Sequence, residues 1–184
     1  SKTIAVGSTG LIIEYDGARW RQVPSGAQAD EDFVALWGTA EDRIVAVGGR
    51  SGARIATYDG QSWTTRTISG VPGLNAVHML DSRRALVGGQ NGFVGVFDVE
   101  NPGFVESETP WTAQCVHSIW GIVDVDFYGV GGRFSSPYSG TTGLRVAESV
   151  SVDIRSPLPL TCVSDAECNV DEFCLAEGEC VQRQ

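Results

Sequence analysis

The chain has 184 residues, of which 23 are glycine and 42% are hydrophobic, and it carries a formal charge of −10. Such a length holds one domain, or one domain with a small appendage, and Gly and Pro interrupt it too often for a bundle of long helices. The negative field repels phosphate backbones, which argues against nucleic acid as a partner. No apolar run approaches the roughly 18 residues of a membrane span. The first residue is Ser1, which sets the expectation of a processed protein or a fragment.

Taken in order, the chain repeats itself with a period of about 41 residues, a length that marks arrays and propellers. The first copy opens at Ile4 with IAVGSTG and continues through LIIEYDG, Leu11 to Gly17, to Trp20. The second begins with FVALW from Phe33, followed by IVAVGGR from Ile44, RIATYDG from Arg54 and then Trp63. The third reads LNAVH from Leu74, ALVGGQN from Ala85 and FVGVFD from Phe93. The fourth reads VHSIW from Val116, YGVGGRF from Tyr128 and LRVAES from Leu144.

Asp-Gly between alternating apolar segments is a strong hairpin signal, because both residues tolerate the positive φ of a type I′ turn. In the second copy this predicts strands over 33–39, 43–48, 54–59 and 62–68. Period-2 alternation puts Phe33, Ala35 and Trp37 on one face of the first of these strands, and Val34 and Leu36 on the other. Four short strands in about 41 residues are a propeller blade, so the fold class is an all-β propeller of four-stranded blades. The strands beginning at Phe33, Leu74 and Val116 are predicted to be innermost. The first copy has no such strand before Thr3, which leaves 15 strands over residues 1–160. The expectation is the C-terminal part of a larger propeller, with a self-contained four-bladed ring as the alternative.

The LNAVHMLD, ALVGGQNG and DG-x-x-W phrases resemble those of Asp-box or BNR-like propellers, and especially Ycf48-type assembly-factor repeats, over about residues 1–156. The resemblance implies a binding or assembly role. One departure bears on chemistry: the Asp box separates its Asp from its Gly, whereas Asp16-Gly17 and Asp59-Gly60 are adjacent and Trp follows Asp by four, which weakens a sialidase reading.

A glycoside hydrolase needs a pair of carboxylates flanking one bond. Asp16, Asp59 and Asp98 instead recur once per repeat at hairpin turns, so they serve the blade. The recurrent VGG phrase reads as turn chemistry, and Arg83 and Arg84 as decoration of a solvated turn. His78 stands where the neighbouring copies have Trp37 and Trp120, which predicts packing near the channel. Cys115, two residues before His117, reads as an inert buried thiol with no third residue to orient a nucleophile.

The fourth copy departs from the others in an insertion, GRFSSPYSGTTG from Gly132 to Gly143, read as a long loop. Loops on a rigid scaffold carry function, and aromatics among Ser, Gly and Thr make a binding surface. The candidate binding residues are therefore Phe134 and Tyr138 of the insertion, with Trp111 on a connection of the same face.

From residue 161 the composition changes. Cys162, Cys168, Cys174 and Cys180 recur in a segment too short for a core, so two disulfides are expected, their pairing open. No zinc knuckle or EF-hand spacing occurs, and no metal or cofactor is expected. The tail, residues 161–184, resembles the short Cys-rich modules of secreted myxobacterial proteins. Disulfides place the chain in an oxidising compartment: secreted, periplasmic or on the cell surface. Together these readings predict a non-catalytic secreted or cell-surface propeller that binds another polypeptide or further propeller blades. The alternative is a carbohydrate-active propeller, a lectin or glycoside hydrolase, whose ligand is a glycan.

Overall fold

A computed structural model describes residues 2–28, 31–101, 105–107, 112–122, 126–133, 139–146, 172–174 and 180–182. The chain divides into two compact units, Ser1–Ile154 and Arg155–Gln184.

The first unit is a series of antiparallel meanders. Sheet 1 holds β1 (Thr3–Val6), β2 (Ile12–Tyr15) and β3 (Trp20–Gln22); sheet 2 holds β4 (Phe33–Ala40), β5 (Arg43–Gly48), β6 (Ala53–Tyr58) and β7 (Trp63–Ile68). Sheet 3 holds β8 (Leu74–Met79), β9 (Arg84–Gly89), β10 (Val94–Asp98) and β11 (Val105–Ser107); sheet 4 holds β12 (Cys115–Gly121), β13 (Asp126–Arg133) and β14 (Ser139–Val146). In every sheet the spatial order is the chain order. The fourth strand expected in the last repeat falls outside the described residues.

Three apolar seams join consecutive sheets, and each uses the same positions of the repeat. Ile4, Val6 and Ile12 of sheet 1 meet Phe33, Leu36, Ala46, Tyr58 and Trp63 of sheet 2. Val45, Val47 and Ile55 of sheet 2 meet Leu74, Val77, Ala85 and Val87 of sheet 3. Leu86 and Val94 of sheet 3 meet Val116, Ile119 and Phe127 of sheet 4. Every sheet thus has a leading face, turned to the sheet before it, and a trailing face, turned to the sheet after it. Being apolar on both faces is what lets such short strands build a core.

The alternation predicted for the first strand of the repeat is broken. Phe33 pairs Gly48 and Ala35 pairs Val47, so Val34 is an extra, bulged residue. The same shift lies between Leu74 and Ala76 and between Val116 and Ser118. One inserted residue reverses the faces of everything before it. Phe33 therefore packs on the leading face with Leu36, while Ala35 and Trp37 lie on the trailing face with their partners Val47 and Val45.

The glycines of the VGG phrase have a different cause from the one expected. Gly89 has φ −164°, an extended conformation open to any residue. What excludes a side chain is proximity: a Cβ at Gly48, Gly89 or Gly131 would lie 1.9, 2.3 or 1.9 Å from the carbonyl oxygen of Asp32, Gly73 or Cys115 respectively. Those carbonyls sit at the start of the inner strands β4, β8 and β12. Turn chemistry belongs to the glycine that follows, as at Gly49 with φ +95°.

The Asp-Gly hairpins form with four-residue loops in place of type I′ turns. Tyr15 pairs Trp20 and Tyr58 pairs Trp63 across loops 16–19 and 59–62. Only the glycines, Gly17 and Gly60, take positive φ there. Asp16 Oδ1 accepts the amides of Ala18 and Arg19, and Asp59 Oδ1 those of Gln61 and Ser62. The Tyr58 hydroxyl donates to the Gly60 carbonyl at 2.8 Å, and its ring lies 5.1 Å from Trp63. The Y-D-G-x-x-W phrase is thus one self-closing cap, used twice.

The second unit contains a hairpin of β15 (Glu172–Cys174) and β16 (Cys180–Gln182), whose backbone register sets Cys174 opposite Cys180.

Candidate functional site

Trp111, Phe134 and Tyr138, the binding residues proposed from sequence, lie outside the described residues, as do Cys162 and Cys168. The insertion that carries two of the three is shorter as a loop than the repeat alignment suggests. β13 and β14 run on into it, pairing Gly131 with Thr141, Gly132 with Gly140 and Arg133 with Ser139. The connection between the strands is residues 134–138. A backbone ladder needs no side chains, so a Gly-rich stretch beside Thr141 and Thr142 can lengthen a hairpin.

Aromatic side chains gather instead at the second half of the inner strands. Trp37, His78 and Trp120 occupy one position of the repeat, as their pairing with Val45, Leu86 and Tyr128 shows. All three are on trailing faces, and each ring leans on the next. The Trp37 and His78 centroids are 4.6 Å apart at 50°, His78 and Trp120 are 5.8 Å apart at 51°, and Trp120 and Tyr128 are 6.1 Å apart. These tilted contacts suit rings with negative faces and positive edges. The indoles are 43% and 46% exposed, whereas His78 between them is 8% exposed.

His78 ties the row together. A ring N–H is donated to the backbone of Gly121 on the next inner strand, while Nδ1 is buried and has no partner among the described residues. Burial holds the imidazole below its usual pKa, with the Gly121 hydrogen bond opposing, so the ring is neutral at pH 7. A neutral ring can lie between two indoles without bringing a desolvated charge into the row. Position 78 was legible as a packed residue; the exposed row that it supports was not singled out, although the Trp, His, Trp column was visible in the repeat alignment.

The repeated carboxylates are occupied by their own turns. Asp16 and Asp59 are held below the usual carboxylate pKa by backbone amides, chiefly those of Arg19 and Ser62. Asp98 is lowered to about 2, first by the Arg83 guanidinium, 2.7 Å away, and then by the amides of Glu100 and Asn101. Asp81 is lowered by the amides and side chain of Arg84 and the amide of Arg83, against the opposing effect of burial. Arg83 and Arg84 accordingly pin turns rather than merely decorate them.

Two cavities lie elsewhere. One, about 500 Å³, is lined by Lys2, Glu14, Asp16, Arg21 and Glu41. Two ion pairs take up four of these five charges, Lys2 2.7 Å from Glu14 and Arg21 with Asp16. The other, about 330 Å³, brings Cys115, His117 and Arg133 to one wall, and there His117 Nε2 lies 3.2 Å from the Gly132 carbonyl oxygen.

No family model and no curated protein matches this sequence. Among solved structures, the extracellular domain of a hybrid two-component system from B. thetaiotaomicron aligns with a TM-score of 0.59 at 10% identity, over 83% of this chain and 21% of that one. The tricorn protease aligns with a TM-score of 0.55 at 11% identity, over 82% of this chain and 17% of that one. The chain therefore spans about a fifth of the length of these structures. The likeness shows the fold: meandering sheets that share apolar seams in chain order make an all-β propeller architecture.

Proposed function

We propose that this propeller is a non-catalytic binding module for another polypeptide, acting outside the cytoplasm, with the inner-strand aromatic row as its recognition surface. The observation that carries the reading is the exposure of two indole faces, Trp37 and Trp120, held on β-strands and braced by His78. Aromatic anchors on rigid elements bring large contact area at small entropic cost and dominate the energy of protein interfaces. The four Cys of the tail support the oxidising compartment.

The test is capture of a stoichiometric polypeptide by the immobilised chain from the extracellular fraction of its source. Trp37→Ala with Trp120→Ala should weaken capture at least about tenfold, the loss of one modest hot spot, with thermal unfolding confirming that the variant remains folded at the temperature of the assay. Equal capture by the variant would refute the assignment. Glycan-array binding that is lost in the same variant would put the carbohydrate-binding alternative in its place.

A further inference from the structure

The two outer faces of the sheet series expose positions that are buried inside it. On the trailing side of sheet 4, Tyr128 and Val130 are 47% and 49% exposed. Register makes Tyr128 the equivalent of Val45 and Leu86, and Val130 the equivalent of Val47. Those three are 0%, 1% and 0% exposed, because the following sheet covers them.

The leading side of sheet 1 shows the complementary difference. Tyr58 and Trp63 on the leading face of sheet 2 are buried at 8% and 7% against sheet 1. Their equivalents Tyr15 and Trp20 form the same ring pair, 5.3 Å apart, yet Trp20 is 49% exposed. Sheet 1 therefore leaves Tyr128 and Val130 uncovered, and nothing in the described chain covers Trp20.

We propose that the trailing face of sheet 4 docks onto the leading face of sheet 1 of a second copy of this chain. The interface continues the three seams already present: an apolar trailing position meets the leading face of a following sheet. It is heterologous, and such contacts either close into rings or run on into filaments. Propellers close with about four to eight blades. Two copies of the four described sheets bring eight together, a number within that range. This inference goes beyond the binding function; Trp120 shares the trailing face of sheet 4 with Tyr128, and the variants used here leave both recognition indoles in place.

The experiment is sedimentation velocity on the 184-residue chain at about 1 to 100 μM, with two variants, Val130→Arg on the trailing face and Trp20→Arg on the leading face. Wild type should be a dimer, and each variant alone should be a monomer, its dissociation constant raised at least about tenfold. A head-to-tail contact makes one further demand: an equimolar mixture of the two variants regains a 1:1 heterodimer through the single interface left intact. Both substitutions lie on exposed faces, and thermal unfolding of each variant checks its fold. A wild-type monomer at 100 μM would overturn the proposal, as would a dimer insensitive to both variants or a mixture that stays monomeric. A monomeric chain that dimerises only when further blades are added to it would assign this face to a longer propeller instead.

Discussion

Replacing Gly48 by Ala isolates the contact that makes the VGG phrase necessary. The new Cβ would lie 1.9 Å from the Asp32 carbonyl oxygen, where real contacts stay beyond 3.0 Å, so the backbone must move by about 1 Å. That oxygen also accepts the Gly49 amide at 2.9 Å, and the movement takes this hydrogen bond with it. Overpacking costs about 1–3 kcal/mol and the lost bond about 1 kcal/mol, so the expected destabilisation is about 2–4 kcal/mol. Gly7 stands at the same place in the first copy, where no inner strand lies among the described residues, and a Cβ there meets only Leu11 Cδ2 at 3.8 Å. Gly7→Ala should therefore be neutral, or stabilising by about 0.4–1 kcal/mol through the unfolded chain. For a protein of this size the Gly48 change lowers the melting temperature by roughly 4–16 °C and the Gly7 change does not. Urea and thermal unfolding of both variants measure the difference. Equal effects at the two positions would refute the argument from the inner-strand carbonyl.

Leu86→Ala empties the seam between sheets 3 and 4 and should cost about 2–5 kcal/mol, measured by urea unfolding; a cost under 1 kcal/mol would mean the seam is not a packed interface. His78 is held below its usual pKa, so the unfolded chain takes up a proton as pH falls through about 6.5 while the folded chain does not. Stability is therefore lost as pH falls below about 6.5, and His78→Phe should flatten that limb of the stability curve. In the tail, alkylation under denaturing conditions should label only Cys115 before reduction and all five Cys afterwards, which mass spectrometry reads directly; labelled tail thiols without reduction would sink the expectation of two disulfides.

The strands of the second repeat were legible to within a residue, because Val, Ile, Ala and Tyr alternate between Asp-Gly caps and the neighbouring copies supply the phase. The bulge at Val34 was not. A single extra residue in an apolar strand leaves the composition unchanged and shows only in the partner register, yet it decides that Phe33 and Trp37 face opposite ways. The length of the Asp-Gly loops was hidden for a related reason: Asp59 acts through its side chain on Gln61 and Ser62, and a dipeptide propensity does not register that contact. The candidate site was half visible. His78 stood in a column with Trp37 and Trp120, but the half-exposure of the indoles depends on how three sheets stack.

The recognition claim is tested most directly by the indole N–H resonances of the five Trp residues in a 15N-labelled chain, titrated with the captured polypeptide. The account predicts that the Trp37 and Trp120 signals shift on binding while that of Trp63, buried in the first seam, stays in place. A shift of Trp111 with Trp37 and Trp120 unmoved would contradict it and return recognition to the connection and insertion singled out from sequence.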